Sequence, residues 1–89
     1  MHITVLFLAH LRELTGTNRI SLSLDEPTLM DVAQEVGRRY GSAFLDELLE
    51  QGELGDALVV LHNGDITYDL ETRLAEGDEV TFLPPAFGG

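Results

Sequence analysis

Between Pro27 and Gly41 the chain carries a single apolar stripe, and that stripe constrains the fold more than anything else in it. Leu29, Val32, Ala33, Val36 and Tyr40 recur at the spacing of one helix face. Pro27-Thr28 opens the segment. Thr28 is suited to cap it, and Asp31, three residues on, completes a capping-box pattern with its negative charge at the positive helix end. Gly41, after Arg38 and Arg39, is the stop signal. Runs of a different period flank this helix. His2 to Leu8 alternates, with Ile3, Val5 and Phe7 on one face and Thr4, Leu6 and Leu8 on the other, so both faces are partly apolar. Ala9 to Asn18 reads as a connector turning at Gly16-Thr17-Asn18. Arg19 to Leu24 alternates again and suggests a hairpin with the first strand.

After the helix, Phe44, Leu45, Leu48 and Leu49 predict a second, shorter helix, and Gln51 to Asp56 reads as a polar loop. Ala57 to Leu61 is rich in strand formers. Asn63-Gly64 within His62-Asn63-Gly64-Asp65 is the signal of a tight hairpin turn, after which Ile66 to Leu70 returns. Gly77-Asp78 turns the chain into a last strand, Glu79 to Leu83, with Val80 and Phe82 alternating against Thr81 and Leu83. The predicted order is strand, strand, helix, short helix, strand, short strand, strand, with no internal repeat, low-complexity tract or linker.

Eighty-nine residues, 44% of them apolar, are enough for one small core. There is no cysteine, so no disulfide, thiolate metal site or thiol nucleophile is available from this chain. Sixteen acids stand against five arginines and no lysine, a net charge of −11. Such a surface repels nucleic acid and anionic membranes and is steered toward basic partners. The absence of lysine leaves no side-chain amine for isopeptide formation on the chain itself. No basic and apolar leader opens the sequence and no run is long enough to span a bilayer, so a cytoplasmic location is expected.

The last six residues, Pro84-Pro85-Ala86-Phe87-Gly88-Gly89, carry the clearest chemical signal. Proline fixes φ and lacks an N–H, so Pro84 and Pro85 end the sheet ladder and hold the exit extended. At roughly 3.3 Å per residue the segment reaches about 20 Å. Gly88 and Gly89 have no Cβ, which lets a narrow channel close around their backbone and present the Gly89 carboxylate to a reactant. A tail of this kind suits a protein whose own terminus is a substrate; the plain alternative is an inert terminus on an adaptor domain.

Three stretches resemble a known family, the ubiquitin-like β-grasp sulfur carriers, most closely the branch of the molybdopterin synthase small subunit. Val5-Leu6-Phe7-Leu8-Ala9-His10-Leu11-Arg12-Glu13-Leu14-Thr15-Gly16 is similar to the family's first strand and following turn. Leu74-Ala75-Glu76-Gly77-Asp78-Glu79-Val80 is similar to its last turn, and Phe82-Leu83-Pro84-Pro85 with Gly88-Gly89 to its tail. The double proline is closer to the molybdopterin branch than to the thiamine-type carriers, whereas Ala86-Phe87 departs from the small residues usual there.

The resemblance implies an α+β, ubiquitin-like β-grasp fold. A mixed sheet of four to five strands packs on one main helix plus a short helix over residues 1–83, followed by an extended tail over 84–89. It implies a carrier rather than an enzyme. The Gly89 carboxylate is adenylated by a separate ubiquitin-activating-like adenylyltransferase, which holds ATP and Mg, so this chain binds no cofactor. A persulfide donor then converts it to a thiocarboxylate, and the molybdopterin synthase large subunit or another acceptor enzyme takes the sulfur. The alternative is a ubiquitin-like modifier joined to target lysines through Gly89.

Other candidate chemistry is thin. His2, His10 and His62 lack ligand spacing, and Gly52 and Gly55 lack the strand-to-helix setting and lysine of a phosphate-binding loop. Strand parity puts Leu8 and Leu83 opposite Phe7 and Phe82, with Ile66 expected nearby. Together with Pro84, Pro85 and Phe87, these residues form the expected partner-binding surface beside the tail exit.

Overall fold

The computed structural model of the chain describes residues 1–85. Its elements are β1 (His2–Phe7), α1 (Leu11–Thr15), β2 (Arg19–Ser23), α2 (Leu29–Tyr40), α3 (Ser42–Leu48), β3 (Leu49–Glu50), β4 (Glu53–Leu54), β5 (Val59–His62), β6 (Asp65–Thr67) and β7 (Glu79–Leu83). Five strands form one mixed sheet in the order β2-β1-β7-β5-β6, in which β1 and β7 run parallel and every other neighbouring pair is antiparallel. The strands at the two ends of the chain therefore lie side by side at the sheet's centre.

The apolar stripe of α2 covers one face of this sheet. Leu29, Val32, Ala33 and Val36 are buried against Ile3, Val5, Phe7, Leu22, Val60, Val80 and Phe82. Thr28 caps α2 as its spacing predicts: the Asp31 N–H donates to the Thr28 hydroxyl (3.2 Å) and the Thr28 N–H to the Asp31 carboxylate (2.9 Å). The next orphan donors at this end are met by the segment before β7, since the Leu29 and Met30 N–H groups donate to the Thr72 and Leu70 carbonyls (3.0 and 2.9 Å). At the far end of the core, Phe82 stacks on Phe7 (centroids 6.2 Å apart) and meets Phe44 edge-on at 5.0 Å. Gly37 lets Leu45 of α3 pack directly on the α2 backbone; a Cβ there would lie 2.4 Å from Leu45 Cδ1.

Four expectations need correction. The connector from Ala9 to Asn18 contains the helix α1, whose Leu11 and Thr15, four residues apart, both turn inward while Gly16 closes it in a left-handed conformation (φ 76°). The polar loop at Gln51 to Asp56 holds a small hairpin, β3 paired with β4 around Gln51-Gly52, and Leu49 belongs to β3 rather than to α3. The return from Ile66 stops at Thr67, because Leu70 leaves the sheet to pack beneath the start of α2. The first strand ends at Phe7, one residue before Leu8.

Candidate functional site

With α2 on one face of the sheet, the opposite face is open among the described residues, and strand register assigns its residues. Leu6 of β1 pairs with Thr81 of β7, Thr81 with Leu61 of β5, and Leu61 with Ile66 of β6, so these four stand in one row. Leu83 pairs with Val59 in the next row. Leu8 continues the β1 ladder one step, its N–H donating to the Phe82 carbonyl (3.1 Å) beside Leu83. Paired residues project to the same side of a sheet, so the open face presents an apolar surface at the end from which Pro84 and Pro85 leave β7.

This surface brings together Leu8 and Leu83, which strand parity singles out in the sequence, and Ile66, expected nearby, and it is larger than they are. Leu8 and Ile66 are exposed (41% and 56%), whereas Leu83, Pro84 and Pro85 are half-buried. Sequence reasoning missed Val59 and Leu61. The signal was present in the unbroken apolar run Leu58 to Leu61: a strand whose residues are apolar at both parities serves the core with one face and has a second face to cover. Thr81 is buried although it faces away from α2, because Leu6 and Leu61 flank it on the two neighbouring strands. Phe87, Gly88 and Gly89 lie outside the described residues.

Asp78 fixes the geometry of the strand that carries the tail. Its Oδ2 accepts from His62 Nε2 (2.7 Å) and from the Ala75 N–H (2.9 Å), and its Oδ1 accepts from Asn63 Nδ2 (3.1 Å). Asn63 in turn accepts from the Glu79 N–H (2.8 Å) through its side chain and donates its own N–H to the Glu79 carbonyl (2.8 Å). One carboxylate thus ties the turn before β7 to the β5–β6 hairpin. That hairpin turns through Asn63 and Gly64, both at positive φ (51° and 88°), as the Asn-Gly signal requires. The His62 hydrogen bond first, and the Ala75 N–H second, hold the Asp78 carboxyl below its ordinary value of 3.8. Across the sheet, the Glu76 carboxylate caps the start of β1, accepting from the His2 N–H (3.1 Å), and this bond lowers its pKa.

The histidines stand apart. His2 lies beside Glu76, His10 beside Glu47, and His62 beside Asp78. Among the described residues no three potential ligands converge on a metal position, and no helix is long and apolar enough to cross a membrane.

A mixed sheet with parallel central strands, grasping one long helix, is the ubiquitin-like β-grasp, and the chain is of that α+β class. The chain belongs to the ThiS family, whose family model matches residues 5–89. It is 36% identical over 87 residues to the molybdopterin synthase sulfur carrier subunit of Escherichia coli, covering 98% of this chain and 99% of that one. It is 32% identical over 93 residues to small archaeal modifier protein 3 of Haloferax volcanii, covering both in full (100% of each). The crystal structure of SAMP1 from Haloferax volcanii superposes with a TM-score of 0.82 at 27% identity, covering 100% of both chains.

Proposed function

We propose that this chain is a sulfur carrier whose Gly89 carboxylate is the chemical group, acting as the small subunit of a molybdopterin synthase. The observation that carries this reading is the family match, which runs from β1 through Gly88-Gly89, on a chain related over nearly its whole length to a molybdopterin synthase sulfur carrier subunit. The open face and the proline exit support it, since they suit a domain that docks broadly and hands over an extended end.

A carboxylate is a poor electrophile, so the Gly89 oxygen first attacks the α-phosphorus of ATP on the partner adenylyltransferase, and pyrophosphate leaves. The terminal sulfur of a partner's persulfide then attacks the acyl carbon, and AMP leaves to give an acyl disulfide. A second partner thiol takes the inner sulfur of that bond as a disulfide and frees the thiocarboxylate. Every thiol comes from partners, because this chain has no cysteine. In this scheme ATP and Mg stay on the activating enzyme, the synthase large subunit receives the sulfur, and the chain is a carried substrate and not a catalyst.

The experiment is intact-mass analysis of the protein from its native cell, with a Gly89 deletion as control. A mass gain of one oxygen-to-sulfur exchange, lost in the deletion, is the expected result; an unmodified terminus under conditions of active cofactor synthesis would refute it. Kinship with a small archaeal modifier protein favours one second reading, a modifier attached to lysines of other proteins through Gly89. Recovery of Gly89 in isopeptide linkage to target proteins identifies that outcome.

A further inference from the structure

Tyr68 follows β6, the terminal strand of the sheet, and is 81% exposed. Two grooves meet at it, and Tyr68 and Leu54 line both. One is mostly apolar, with Leu58, Val59, Ile66 and Pro85 in its wall. The other is acidic, with Glu53, Asp69 and Glu71 in its wall. The β3–β4 hairpin supplies Glu53 and Leu54, so this is a composite site at the sheet's edge and not part of the open face alone.

A few carboxylates elsewhere on the molecule have an arginine or histidine partner, but most of this acidic surface, among the described residues, does not. What sets this place apart is that its carboxylates line a groove beside an exposed aromatic ring. Glu35 pairs with Arg38 and Arg39, Glu47 with His10, Glu76 with His2 and Asp78 with His62. Among the described residues, none of Glu53, Asp69 and Glu71 forms such a pair, and Asp69 uses one oxygen to accept the Glu71 N–H (2.9 Å). Three uncompensated carboxylates beside an exposed phenol ring and an apolar trough complement a cation next to a hydrophobic side chain. Arginine fits better than lysine, because a guanidinium lies flat on an aromatic ring while its edge pairs with a carboxylate. Nucleic acid and anionic lipid are repelled by the same charges.

We propose that the Tyr68 edge is a docking site for a basic segment of a partner protein, with an arginine stacked on Tyr68 against Glu53 and Glu71 and a neighbouring apolar side chain in the Leu58–Ile66 trough. Val59, Ile66 and Pro85 belong both to this trough and to the open face, so a partner on that face reaches the site without a gap. The site acts without Gly89, and its test is independent of the carrier chemistry.

The probe is a capped peptide alternating leucine and arginine, titrated into the full chain at near-physiological salt and followed by amide chemical shifts. Shifts centred on Leu54 and on Ile66 through Glu71 are expected. Tyr68→Ser and the double variant Glu53→Gln, Glu71→Gln should each weaken binding about tenfold, while Glu13→Gln on α1 leaves it unchanged. Both tests alter exposed side chains, and thermal melts confirm that the variants fold. Four results would overturn the proposal: shifts spread evenly over the acidic surface, full affinity in Tyr68→Ser, equal binding of a peptide with glutamine in place of arginine, or groove shifts produced without peptide. The last would assign the trough to residues 86–89 if it depends on their presence, or to a second copy if it depends on concentration.

Discussion

Replacing Phe82 with alanine removes the ring on which the tail end of the core is assembled. Phe82 is fully buried on the central strand β7, paired in register with Phe7 on one side and Val60 on the other. Its ring lies 16° from parallel to Phe7 and 83° from that of Phe44, so two aromatic contacts disappear together with the buried area. A phenylalanine-to-alanine change in a core costs about 3–5 kcal/mol. Two aromatic pairs at about 0.5–1.5 kcal/mol each put this site in the upper half of that range. Stability of a domain this small lies in the lower part of the 5–15 kcal/mol typical of folded proteins, so the variant should be close to half unfolded in mild denaturant. Equilibrium urea unfolding, followed by far-ultraviolet circular dichroism at fixed m, measures the loss. Leu83→Ala is the internal control: one residue on, it faces away from α2 and should cost no more than about 1–2 kcal/mol. A Phe82→Ala loss below about 2 kcal/mol, or one equal to that of Leu83→Ala, would show that the assignment of faces along β7 is wrong.

Leu83→Asp should keep a cooperative thermal melt, lowered by no more than about the 1–2 kcal/mol of the alanine control, and weaken binding to the activating enzyme or synthase by about 1–3 kcal/mol in titration calorimetry; unchanged affinity would remove the open face from docking. Gly37→Ala should destabilise by about 1–3 kcal/mol despite alanine's better helix propensity, because the new Cβ meets Leu45 at 2.4 Å, and combining it with Leu45→Ala should abolish the clash term in a double-mutant cycle. For Asp78, a folded-state pKa below the ordinary 3.8 means that its contribution is complete above that value and is lost as pH falls through the depressed one. Asp78→Asn should therefore cost about 1–3 kcal/mol at neutral pH and give a shallower acid limb in a stability–pH profile, and an acid limb parallel to wild type would argue against the clasp.

What could be read from sequence follows the range of the forces involved. The α2 cap rests on Thr28 and Asp31, three residues apart, and the β5–β6 turn on adjacent Asn63 and Gly64; both act within one turn of chain, and both stand in the structure as the sequence predicts. The inward parity of Ile3, Val5 and Phe7 is equally local, because a strand alternates whatever it pairs with. The short helix α1 escaped notice because five residues give one inward pair, Leu11 and Thr15, and one pair has no period. Tertiary structure alone decided which strands are neighbours. Parallel pairing of β1 with β7 joins segments at opposite ends of the chain, and no local propensity encodes that register. The open face follows from it. Leu8 and Leu83 become adjacent only when β7 lies beside β1, Val59 and Leu61 join them through β5, and Ile66 through β6. Asp78 reads in sequence as a turn residue; only the approach of the β5–β6 hairpin makes its carboxylate the clasp that aims the last strand. The elements were determined by side chains a few residues apart, while the surface was determined by burying the α2 stripe, since that one packing choice set which face of every strand was left for a partner.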